Sequence, residues 1–587
     1  MGFFVLSRRD STGPGKAWWE AHARSGFDRR VSLAANDWTL RLSGKLDGSG
    51  PHLVRLGSDF AACTGIFFYR GKRLEIGLEA LLQDFDGRSF PWAACRGHYA
   101  VILFKAGRLW LASDELGAYK IYRNLEETLF SSSFSALRTS LLAAVPDVQG
   151  LYEYVFNGAT FGEKTLLRDV RQQRTGVFYS LQESGPPSAS GPAVRNVTAA
   201  HASIEDAADD YAERLRALFR TYVSSQKSFR TALSGGYDSR LILALLLDAG
   251  IDPGLYVYGT EHDPDVVVAK EIARGEGLRL RHVDKGQLQG DRKGSPERAW
   301  ARFDSWKVDG LFDAGIDDED RKERAQGADV LNGSGGECFR NFFYLRDGHF
   351  SPEEIVWSFY SQYDPSYVTS RFRPTDYTSE LARDMRLAIP GEPRDEKLDR
   401  GQVESLYPLF RVRYWTGRDV GLNQRFGPLL FPFLEPSVFS GTECVPVKFK
   451  DHGRLEAHIL KRISPRLAQY MSTYGFPFSK EPPLRYRLKM ALTLWRPPFL
   501  RQYSYRVKAG LRPRRAYPRW SSEALVATQL DPTLPAMREF FRIEQISDMD
   551  VLNRVATAEL VLRGGPWSSA GERTWPSASV DGPRSAA

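Results

Sequence analysis

The sequence predicts an α/β protein in which a β-rich N-terminal domain is followed by a doubly wound parallel sheet with a helical extension. Three observations support this class. Short β-prone runs crowd residues 53–137, strand-like and helix-like runs alternate from residue 228 onwards, and residues 351–480 have a mainly helical composition. Separate runs of strands are typical of antiparallel sheets, whereas alternating strands and helices with short connections are typical of parallel ones.

The N-terminal domain is predicted at residues 1–182. Its β-prone runs, among them HYAVILF and RLWLAS, are separated by glycine and charged turn residues, as in a mostly antiparallel sheet. The stretch ESGPPSASGPAV that follows is rich in Pro, Gly and Ser and has no periodic apolar pattern. We therefore interpret residues 183–200 as a linker.

The parallel sheet is predicted from four strand-like runs, SFRTAL, LYVYG, LRLRHVD and ADVL, with helices after the first and the second. Ligands of such sheets bind outside the carboxyl ends of the strands, so the glycine loops after the first and fourth runs should meet at one edge. The predicted divisions after the linker are a sheet-and-helix domain at 201–480, a basic helical extension at 481–563, and a disordered tail rich in Pro, Ser, Gly and Ala at 564–587.

Composition places the chain among multidomain globular proteins. Its 587 residues, 42% of them hydrophobic, suffice for several packed domains. The four cysteines lie far apart and form no CxxC pair, which favours a reducing compartment. In the opening MGFFVLSRRD the charges follow the apolar stretch, unlike a secretory signal, and no apolar run approaches the roughly 20 residues of a membrane-spanning helix. We therefore expect no membrane span and a cytoplasmic location.

The strongest motif is LSGGYDSR, between the first predicted strand and an apolar helix. A glycine-rich turn there leaves backbone N–H groups free to bind phosphate, aided by the helix dipole. Neither GxxxxGK[ST] nor GxGxxG occurs in the chain. Ser234, Gly235, Gly236 and Ser239 can cradle pyrophosphate, and Asp238 offers an oxygen ligand to Mg²⁺. A chance Ser-Gly-Gly turn is the alternative, which the complete hexapeptide in this position disfavours.

A second loop, NGSGGECF, follows the fourth predicted strand and is less specific by itself. Its small residues, Gly333, Ser334, Gly335 and Gly336, are predicted to complete the phosphate site because the loop reaches the same edge of the sheet. Glu337 would then be the second carboxylate on the metal, with a purely structural acid as the alternative.

SGGYDS resembles the PP-motif, SGGxDS, of the ATP pyrophosphatase superfamily, whose members cleave ATP between its α- and β-phosphates. Further stretches narrow the resemblance to the asparagine synthetase family: GHYAVILFKAGRLWLASDELGAYKIY with the following LFSSSFSAL, TLLRDVRQQRTGVFYSL, YVYGTEHDPDVVVAKEIARGEGLRLRHV and FPFLEP. The first of these is similar to that family's N-terminal amidotransferase-type domain. Together the similar stretches span most of residues 55–480.

The resemblance implies a degenerate glutamine amidotransferase-like (Ntn-type) domain in front of a PP-loop synthetase domain, with ATP and Mg²⁺ as cofactors. In this family a substrate carboxylate attacks the α-phosphate of ATP, and an amine or ammonia then displaces AMP to make an amide. By the same resemblance, Asp238 and Glu337 are the catalytic and metal-binding residues. Leu233 and Tyr258 correspond to positions that contact adenosine, and Gly259 is counted with them among the ATP-binding residues.

Two departures from the family bear on activity, and the first is at the N-terminus. The family's glutaminase uses an N-terminal cysteine whose free α-amine acts as the base. Residue 2 here is Gly2, and the nearest cysteine is Cys63. We therefore expect no ammonia from glutamine, and the N-terminal domain would be a retained scaffold, as it is in the β-lactam synthetases and lasso-peptide cyclases.

The second departure lies in PRLAQYMSTYGFPF, residues 465–478, where Thr473 stands at the position of a family lysine that stabilises the adenylate. A neutral threonine cannot supply that charge, and Lys448, Lys450 and Lys480 are the candidates to replace it. The loop GSGGE is also shorter than the family's GDGGDE.

Three functions follow as hypotheses. The first is an AMP- and pyrophosphate-forming amide ligase that acts on a small-molecule or peptide carboxylate without glutaminase activity. The second, favoured by Gly2, is an intramolecular amide-forming tailoring enzyme of the β-lactam-synthetase or lasso-cyclase type. The third, favoured by Thr473, is a non-catalytic descendant that binds nucleotide.

Positive charge is concentrated in one segment. Residues 482–520 carry eleven Lys or Arg, no Asp or Glu, and interleaved aromatics, so the rest of the chain is net negative although the total is +8. Arginine with aromatics suits phosphate backbones, membrane surfaces and polyanionic glycans. We interpret the segment as a peripheral helical subdomain, with a docking surface for an acidic partner as the alternative and no nucleic acid expected. The acidic run at residues 317–320 is interpreted as a solvated surface.

Overall fold

A computed structural model of the chain describes residues 2–563 with internal gaps. The gaps are residues 10, 12, 25, 46–47, 182–186, 193–200, 285–326, 392, 394, 511–529 and 532. Several sequence-based predictions therefore lie outside the described residues, namely the acidic run at 317–320, the tail at 564–587, the last part of the basic segment and most of the linker.

The N-terminal region consists of two antiparallel sheets. Its strands are β1 (Phe3–Arg8), β2 (Arg30–Ala35), β3 (Trp38–Ser43), β4 (His52–Leu56), β5 (Asp59–Tyr69), β6 (Lys72–Arg73), β7 (Cys95–Lys105), β8 (Arg108–Ser113), β9 (Tyr122–Asn124), β10 (Leu129–Ser131), β11 (Val170–Gln172), β12 (Phe178–Leu181) and β13 (Ser188–Ser190). The first sheet has the order β11-β9-β10-β1-β3-β2, and the second has the order β13-β12-β8-β7-β5-β4 with β6 beside β5. Strand β13 lies within the predicted linker and pairs with β12.

The two central strands of the second sheet explain why this region folds as it does. β5 and β7 pair over ten residues and are buried along most of their length, because their apolar residues occupy both faces. The rings of Phe130 on β10 and Tyr179 on β12 approach to 5.0 Å and so join the two sheets. The apolar side chains between and around these sheets belong to one continuous core that extends into the rest of the described chain.

The second region is built on a five-stranded parallel sheet. Its strands are β14 (Phe229–Ala232), β15 (Gly254–Gly259), β16 (Leu280–Asp284), β17 (Asp329–Leu331) and β18 (Leu429–Leu430). Their order is β16-β15-β14-β17-β18, and all four neighbouring pairs are parallel. The order reverses between β14 and β17, which makes their carboxyl ends the topological switch point where ligands of open α/β sheets bind. The predicted α/β class, antiparallel first and parallel later, is confirmed.

Helices surround both regions and dominate the C-terminal half. They are α1 (Lys16–Arg24), α2 (Leu74–Asp84), α3 (Phe134–Ser140), α4 (Val148–Asn157), α5 (Ile204–Ser225), α6 (Tyr237–Asp248), α7 (Pro264–Glu276), α8 (Pro352–Ile355), α9 (Pro374–Ala388), α10 (Arg400–Leu406), α11 (Gly417–Phe426), α12 (Pro436–Phe439), α13 (Val447–Lys450), α14 (Arg454–Ile463), α15 (Leu484–Trp495), α16 (Pro498–Gly510) and α17 (Met549–Leu562). A π-helical stretch, Tyr407–Thr416, connects α10 to α11. No helix in the described ranges is long and apolar enough to cross a membrane.

The two regions pack against each other through buried polar groups as well as apolar ones. Arg73 of β6 contacts the carboxylate of Asp329 on β17 at 2.7 Å. Glu435, which is 2% exposed, accepts hydrogen bonds from the Gly97 N–H at 2.7 Å and the Tyr222 O–H at 3.0 Å. Burial raises the pKa of Glu435 to about 7. The parallel sheet is therefore fixed to the N-terminal region close to the strand that carries the second glycine loop.

Candidate phosphate-binding site

The two predicted glycine loops meet at the switch point of the parallel sheet. The first follows β14 and leads into α6, and the second follows β17. A Cβ atom at Gly333 would lie 3.0 Å from the Cβ of Asp238, so the backbone of the second loop rests on the first turn of α6. The sequence-based prediction that these loops reach one edge of the sheet is therefore matched by their positions.

The first loop is closed by its own hydroxyl groups. The Ser234 N–H donates to Ser239 Oγ at 3.0 Å, the two serine hydroxyls lie 2.9 Å apart, and the Gly236 N–H donates to Ser234 Oγ at 3.2 Å. The N-cap residue of α6 is Gly236, which has no side chain to cap the helix. An uncapped helix N-terminus presents backbone N–H groups and partial positive charge, which together favour an anion.

Gly235 already binds an anionic oxygen. Its N–H donates to Asp265 Oδ1 at 2.8 Å, and Asp265 belongs to the first turn of α7. A phosphate oxygen is the same kind of acceptor, so a phosphate that displaced the exposed Asp265 carboxylate would find the donor already oriented. Asp265 was not among the residues predicted from the sequence.

Residues 465–478, which were matched to the family's lysine-containing segment, include Thr473 and lie against the first glycine loop. The Thr473 N–H donates to the Gly235 carbonyl at 3.3 Å, and any side chain at position 235 would overlap Thr473 Cγ2. Arg240, which is fully buried, fixes the segment by donating to the carbonyls of Tyr470 at 2.9 Å and Met471 at 2.8 Å. The position is therefore adjacent to the phosphate loop, and a neutral threonine occupies it.

A charged cluster lies beside the loop and is centred on Arg340. The Nη2 atom of Arg340 donates to both carboxylate oxygens of Asp238, at 3.0 and 2.8 Å. It also lies 3.5 Å from Glu337 Oε1, and the Nε atom lies 3.1 Å from Glu456 Oε2. Tyr407, the first residue of the π-helical stretch, donates its O–H to Glu337. One guanidinium thus connects three carboxyl groups that come from three different segments.

Burial controls the protonation of this cluster. It raises the pKa of Asp238 to about 6, against the lowering effect of Arg340 and with a further increase from Glu337. Burial also raises the pKa of Glu456 well above its usual value, and the charge of Asp238 adds to that increase. For Arg340, burial acts to lower the pKa, but the three carboxyl groups outweigh it and the pKa rises.

Glu456 is the most constrained member of the cluster. Its side chain is 0% exposed, and no donor of the described residues makes a hydrogen bond of good geometry to either carboxyl oxygen. A protonated Glu456 can instead donate its own O–H to Asp238, which is consistent with its raised pKa. Because an unpaired buried carboxylate is costly, Glu456 depends on both Arg340 and Asp238.

In the arrangement described, Asp238 and Glu337 are engaged by other side chains rather than open to a magnesium ion. Both oxygens of Asp238 accept from Arg340, and Glu337 accepts from Tyr407. In the part of the chain that the structure describes, no three His, Cys, Asp or Glu side chains are arranged to hold a metal ion. Arg340 supplies the positive charge at this position, and the prediction that the two carboxylates bind Mg²⁺ stays a prediction.

The residues predicted to contact adenosine lie at the adjoining strand ends. The Leu233 N–H donates to the Tyr256 carbonyl at 2.9 Å, which extends the pairing of β14 with β15. The rings of Tyr256 and Tyr258 lie 5.4 Å apart. Gly259 has a φ of +151°, and a side chain there would approach Asp263 Oδ2 to 2.6 Å, so the close turn after β15 requires glycine.

An open cleft of about 520 Å³ borders the charged cluster. Glu337 and Arg340 line its inner end, and α15 contributes Tyr486, Met490 and Leu494. The lining of this cleft therefore combines charged side chains with apolar ones from α15.

The three lysines proposed to replace the missing one have different surroundings. Lys450 is 1% exposed and its Nζ forms an ion pair with Glu404 Oε2 at 2.6 Å, so an acid already balances its charge. Lys448 is exposed, with its Nζ 5.4 Å from the Phe449 ring centroid. Lys480 is exposed and lines a smaller cleft that shares Tyr237 with the first. Of these three, only Lys480 is both uncommitted to an acid in the described contacts and adjacent to the first turn of α6.

Position 2 has no room for a side chain. The Gly2 N–H donates to the Ser43 carbonyl at 2.9 Å, and a Cβ atom there would overlap the Gly44 carbonyl oxygen and lie 2.9 Å from a ring carbon of Phe27. A cysteine nucleophile at this position would therefore require the surrounding backbone to move.

The structure thus brings most of the predicted site residues together and adds others. The grouped residues are Ser234, Gly235, Gly236, Asp238, Ser239, Gly333, Gly336 and Glu337. Ser334 and Gly335 have other neighbours, since the Ser334 N–H donates to Asn332 Oδ1 at 2.8 Å and Gly335 lies against Leu434. Sequence reasoning missed Arg340, although its position three residues after Glu337 is a local signal for an ion pair.

No protein-family model matches the chain, and a search of curated proteins finds no match. The resemblance to asparagine synthetases therefore stays a prediction from the motifs.

Proposed function

We propose that the chain binds ATP at the first glycine loop and activates a substrate carboxylate as its acyl-adenylate, with amide formation as the second step. The observation that carries this proposal is the position of SGGYDS. The complete motif lies at the switch point, leads into an uncapped helix, and holds an anionic oxygen on the Gly235 N–H. These features are what a loop for pyrophosphate requires.

In the first proposed step, a carboxylate oxygen of the substrate attacks the α-phosphorus of ATP. The bond from that phosphorus to the bridging oxygen of the β-phosphate breaks, and pyrophosphate leaves with both electrons of the bond. In the second step an amine attacks the acyl carbon, AMP leaves, and the amine gives up a proton. Magnesium enters with ATP as part of the substrate. The chain's own task is to orient the phosphates and balance their charge.

Arg340 and the first loop divide this task between them. The amides and hydroxyls around Ser234 and Gly235 face the leaving pyrophosphate, whereas Arg340 is the cation that borders both the loop and the cleft. A guanidinium can bind two oxygens at once, so Arg340 can exchange an Asp238 oxygen for a phosphate or carboxylate oxygen of the substrates.

The amine donor is proposed to come from a second substrate or from the activated molecule itself. The packing around Gly2 leaves no room for a cysteine side chain at that position, and the proposal does not use ammonia from glutamine. In an intramolecular tailoring enzyme, carboxylate and amine would both enter the cleft beside Glu337.

Exchange of labelled pyrophosphate into ATP, measured with a panel of carboxylic acids, tests the proposal. We expect exchange with at least one acid and a loss of at least tenfold in Asp238→Asn, because the uncharged amide no longer fixes Arg340 beside the loop for the chemical step, even where ATP still binds. Asp248→Asn, at the opposite end of α6, is the matched control and should behave like the wild type. Absence of exchange with every acid, together with absence of ATP binding by calorimetry, would refute the proposal.

A second candidate is a nucleotide-binding protein without ligase activity. Thr473, in contact with Gly235 at the lysine position, is the observation that favours it. ATP binding without AMP production, under conditions where the exchange assay is negative for all acids, would identify this function.

A further inference from the structure

The outward face of α15 is apolar and exposed. Leu484, Leu488, Leu492 and Trp495 are 67%, 57%, 77% and 73% exposed. Their spacing of four, four and three residues places them on one face of the helix. A row of large apolar side chains of this length is more than the scattered single ones that protein surfaces usually show.

The opposite face of α15 already serves the fold. Tyr486, Met490 and Leu494 line the cleft beside Arg340, and the Tyr486 ring packs on Phe476 at 5.1 Å. The helix is therefore attached through its inner apolar face. Its outer row stays mostly exposed within the described residues, although the Arg346 guanidinium lies 6.0 Å from the Trp495 ring centroid, so packing within the fold does not account for the row.

Helix α16 continues the exposed surface after the turn at Arg496. Phe499, Tyr503 and Val507, each four residues apart, are 50%, 51% and 62% exposed. Arg501 on the other side of this helix is 2% exposed and donates to the Phe343 carbonyl at 3.0 Å, which anchors α16 to the protein body. The two outer rows together form what we name the α15–α16 face.

Basic residues border this face. Arg485, Arg487 and Lys489 are exposed on either side of the leucine row of α15, and no acid occurs from residue 482 to residue 520. A stripe of Leu, Trp and Phe with Lys and Arg at its margins is the pattern of a helix that lies in the interface of a bilayer. The apolar side chains enter the acyl boundary while the basic ones reach the headgroups.

We propose that the α15–α16 face docks on the surface of an anionic lipid bilayer. Complementary charge selects this occupant, since each Lys or Arg near an anionic membrane surface contributes about 1 kcal/mol to binding. The mode is peripheral, with the helices lying on the membrane. Because a helix with its side chains is about 10 Å across, docking would hold the cleft on the inner side of α15 close to the headgroups. The docking surface does not depend on the proposed ligase activity.

Co-sedimentation of the full chain with vesicles tests the proposal without any nucleotide. We expect binding to phosphatidylcholine vesicles that contain about 30% phosphatidylglycerol, at least tenfold weaker binding to pure phosphatidylcholine, and weakening as NaCl rises from about 0.1 to 0.5 M. The double variant Leu488→Ser/Leu492→Ser should lose at least tenfold in affinity. Leu142→Ser, at a fully exposed leucine of the N-terminal region, is the matched control and should bind as the wild type does.

Folding and self-association are checked on the same samples. Both serine substitutions are at exposed positions, so urea unfolding should give wild-type stability and any lost binding reports the surface. Three results would overturn the proposal: no binding of the wild type to anionic vesicles, equal binding by the double variant, or a wild-type dimer that does not bind vesicles and is dissociated by the double variant. The last result would assign the α15–α16 face to a second copy of the chain.

Discussion

The two loops at the switch point reach the same place by different means. The first loop is held mainly by its own sequence neighbours, since the Ser234 and Ser239 hydroxyls and the Gly236 amide form a closed set of hydrogen bonds, and only Gly235 bonds to the distant Asp265 and Thr473. The second loop depends on distant segments, because Tyr407 donates to its Glu337, and Asp238 and Glu456 pair with the neighbouring Arg340. The shape of the first loop is therefore determined mainly by its local sequence, whereas the charged cluster beside it depends on tertiary packing.

The two arrangements also differ in energetic character. Neutral hydrogen bonds such as those of the first loop contribute about 1 kcal/mol each, and the loss of one leaves the rest in place. A buried ion cluster behaves otherwise, because removal of one member leaves the remaining charges without compensation. We therefore expect the second loop to be far more sensitive to single substitutions than the first.

The largest effect is expected for Arg340→Met. Without the guanidinium, Asp238 and the fully buried Glu456 lose their cation, and breaking such a cluster costs about 3 to 5 kcal/mol. The free energy of unfolding, measured with urea, should fall by that amount.

Two further variants decide whether charge is the cause. Arg346→Met makes the same change at an exposed arginine and should lower stability by less than about 1 kcal/mol. Adding Glu456→Gln to Arg340→Met removes an uncompensated carboxyl and should recover part of the loss. If Arg340→Met were as stable as Arg346→Met, the cluster would not contribute to stability as described.

An intermediate effect is expected for Gly235→Ala in the first loop. The added methyl would overlap Thr473 Cγ2, and overpacking of this kind costs about 1 to 3 kcal/mol. We expect a decrease of that size in the free energy of unfolding and, under the proposed function, about tenfold weaker ATP binding by calorimetry.

The geometry offers both a rescue and a control for this substitution. Thr473→Ser removes the Cγ2 atom, so the double variant Gly235→Ala/Thr473→Ser should regain part of the lost stability, while the backbone nitrogen of residue 473 stays 3.0 Å from the new methyl. Gly421→Ala, in α11 with no atom within 4 Å of the new methyl, should be neutral or slightly stabilising. If Thr473→Ser restored no stability, the contact with Thr473 Cγ2 would not be the reason why Gly235→Ala is destabilising.

The same contrast explains what could be predicted from the sequence. The parallel sheet and the first loop were predictable, because strand and helix periodicity and the SGGYDS turn are local patterns that survive without tertiary information. The antiparallel N-terminal region was predictable for the same reason, since runs such as HYAVILF mark buried strands such as β7. The amidotransferase and PP-loop assignments remain predictions.

The charged cluster could not be predicted in the same way. Glu456 lies in α14 and Tyr407 in the π-helical stretch, and nothing in their neighbouring residues indicates that they meet Asp238 or Glu337. Asp265 likewise looks like an ordinary first-turn acid, and only the packing of α7 places it on Gly235. Long-range contacts of this kind are set by the fold as a whole.

The smallest effect is expected from pH and links the two loops. Because burial raises the pKa of Asp238 to about 6, this carboxyl gains a proton as pH falls from 7 to 5. Protonation removes a negative charge beside the first loop and frees Arg340 for phosphate, so ATP should bind more tightly at the lower pH. For partly exposed charges the gain is about 1 kcal/mol or less, which is up to roughly fivefold in affinity.

Calorimetric titrations at both pH values should show this gain in the wild type. Asp238→Asn cannot titrate, so its ATP affinity should change with pH only through the titration of ATP itself. An equal gain in both proteins would show that protonation of Asp238 does not affect phosphate binding at the first loop.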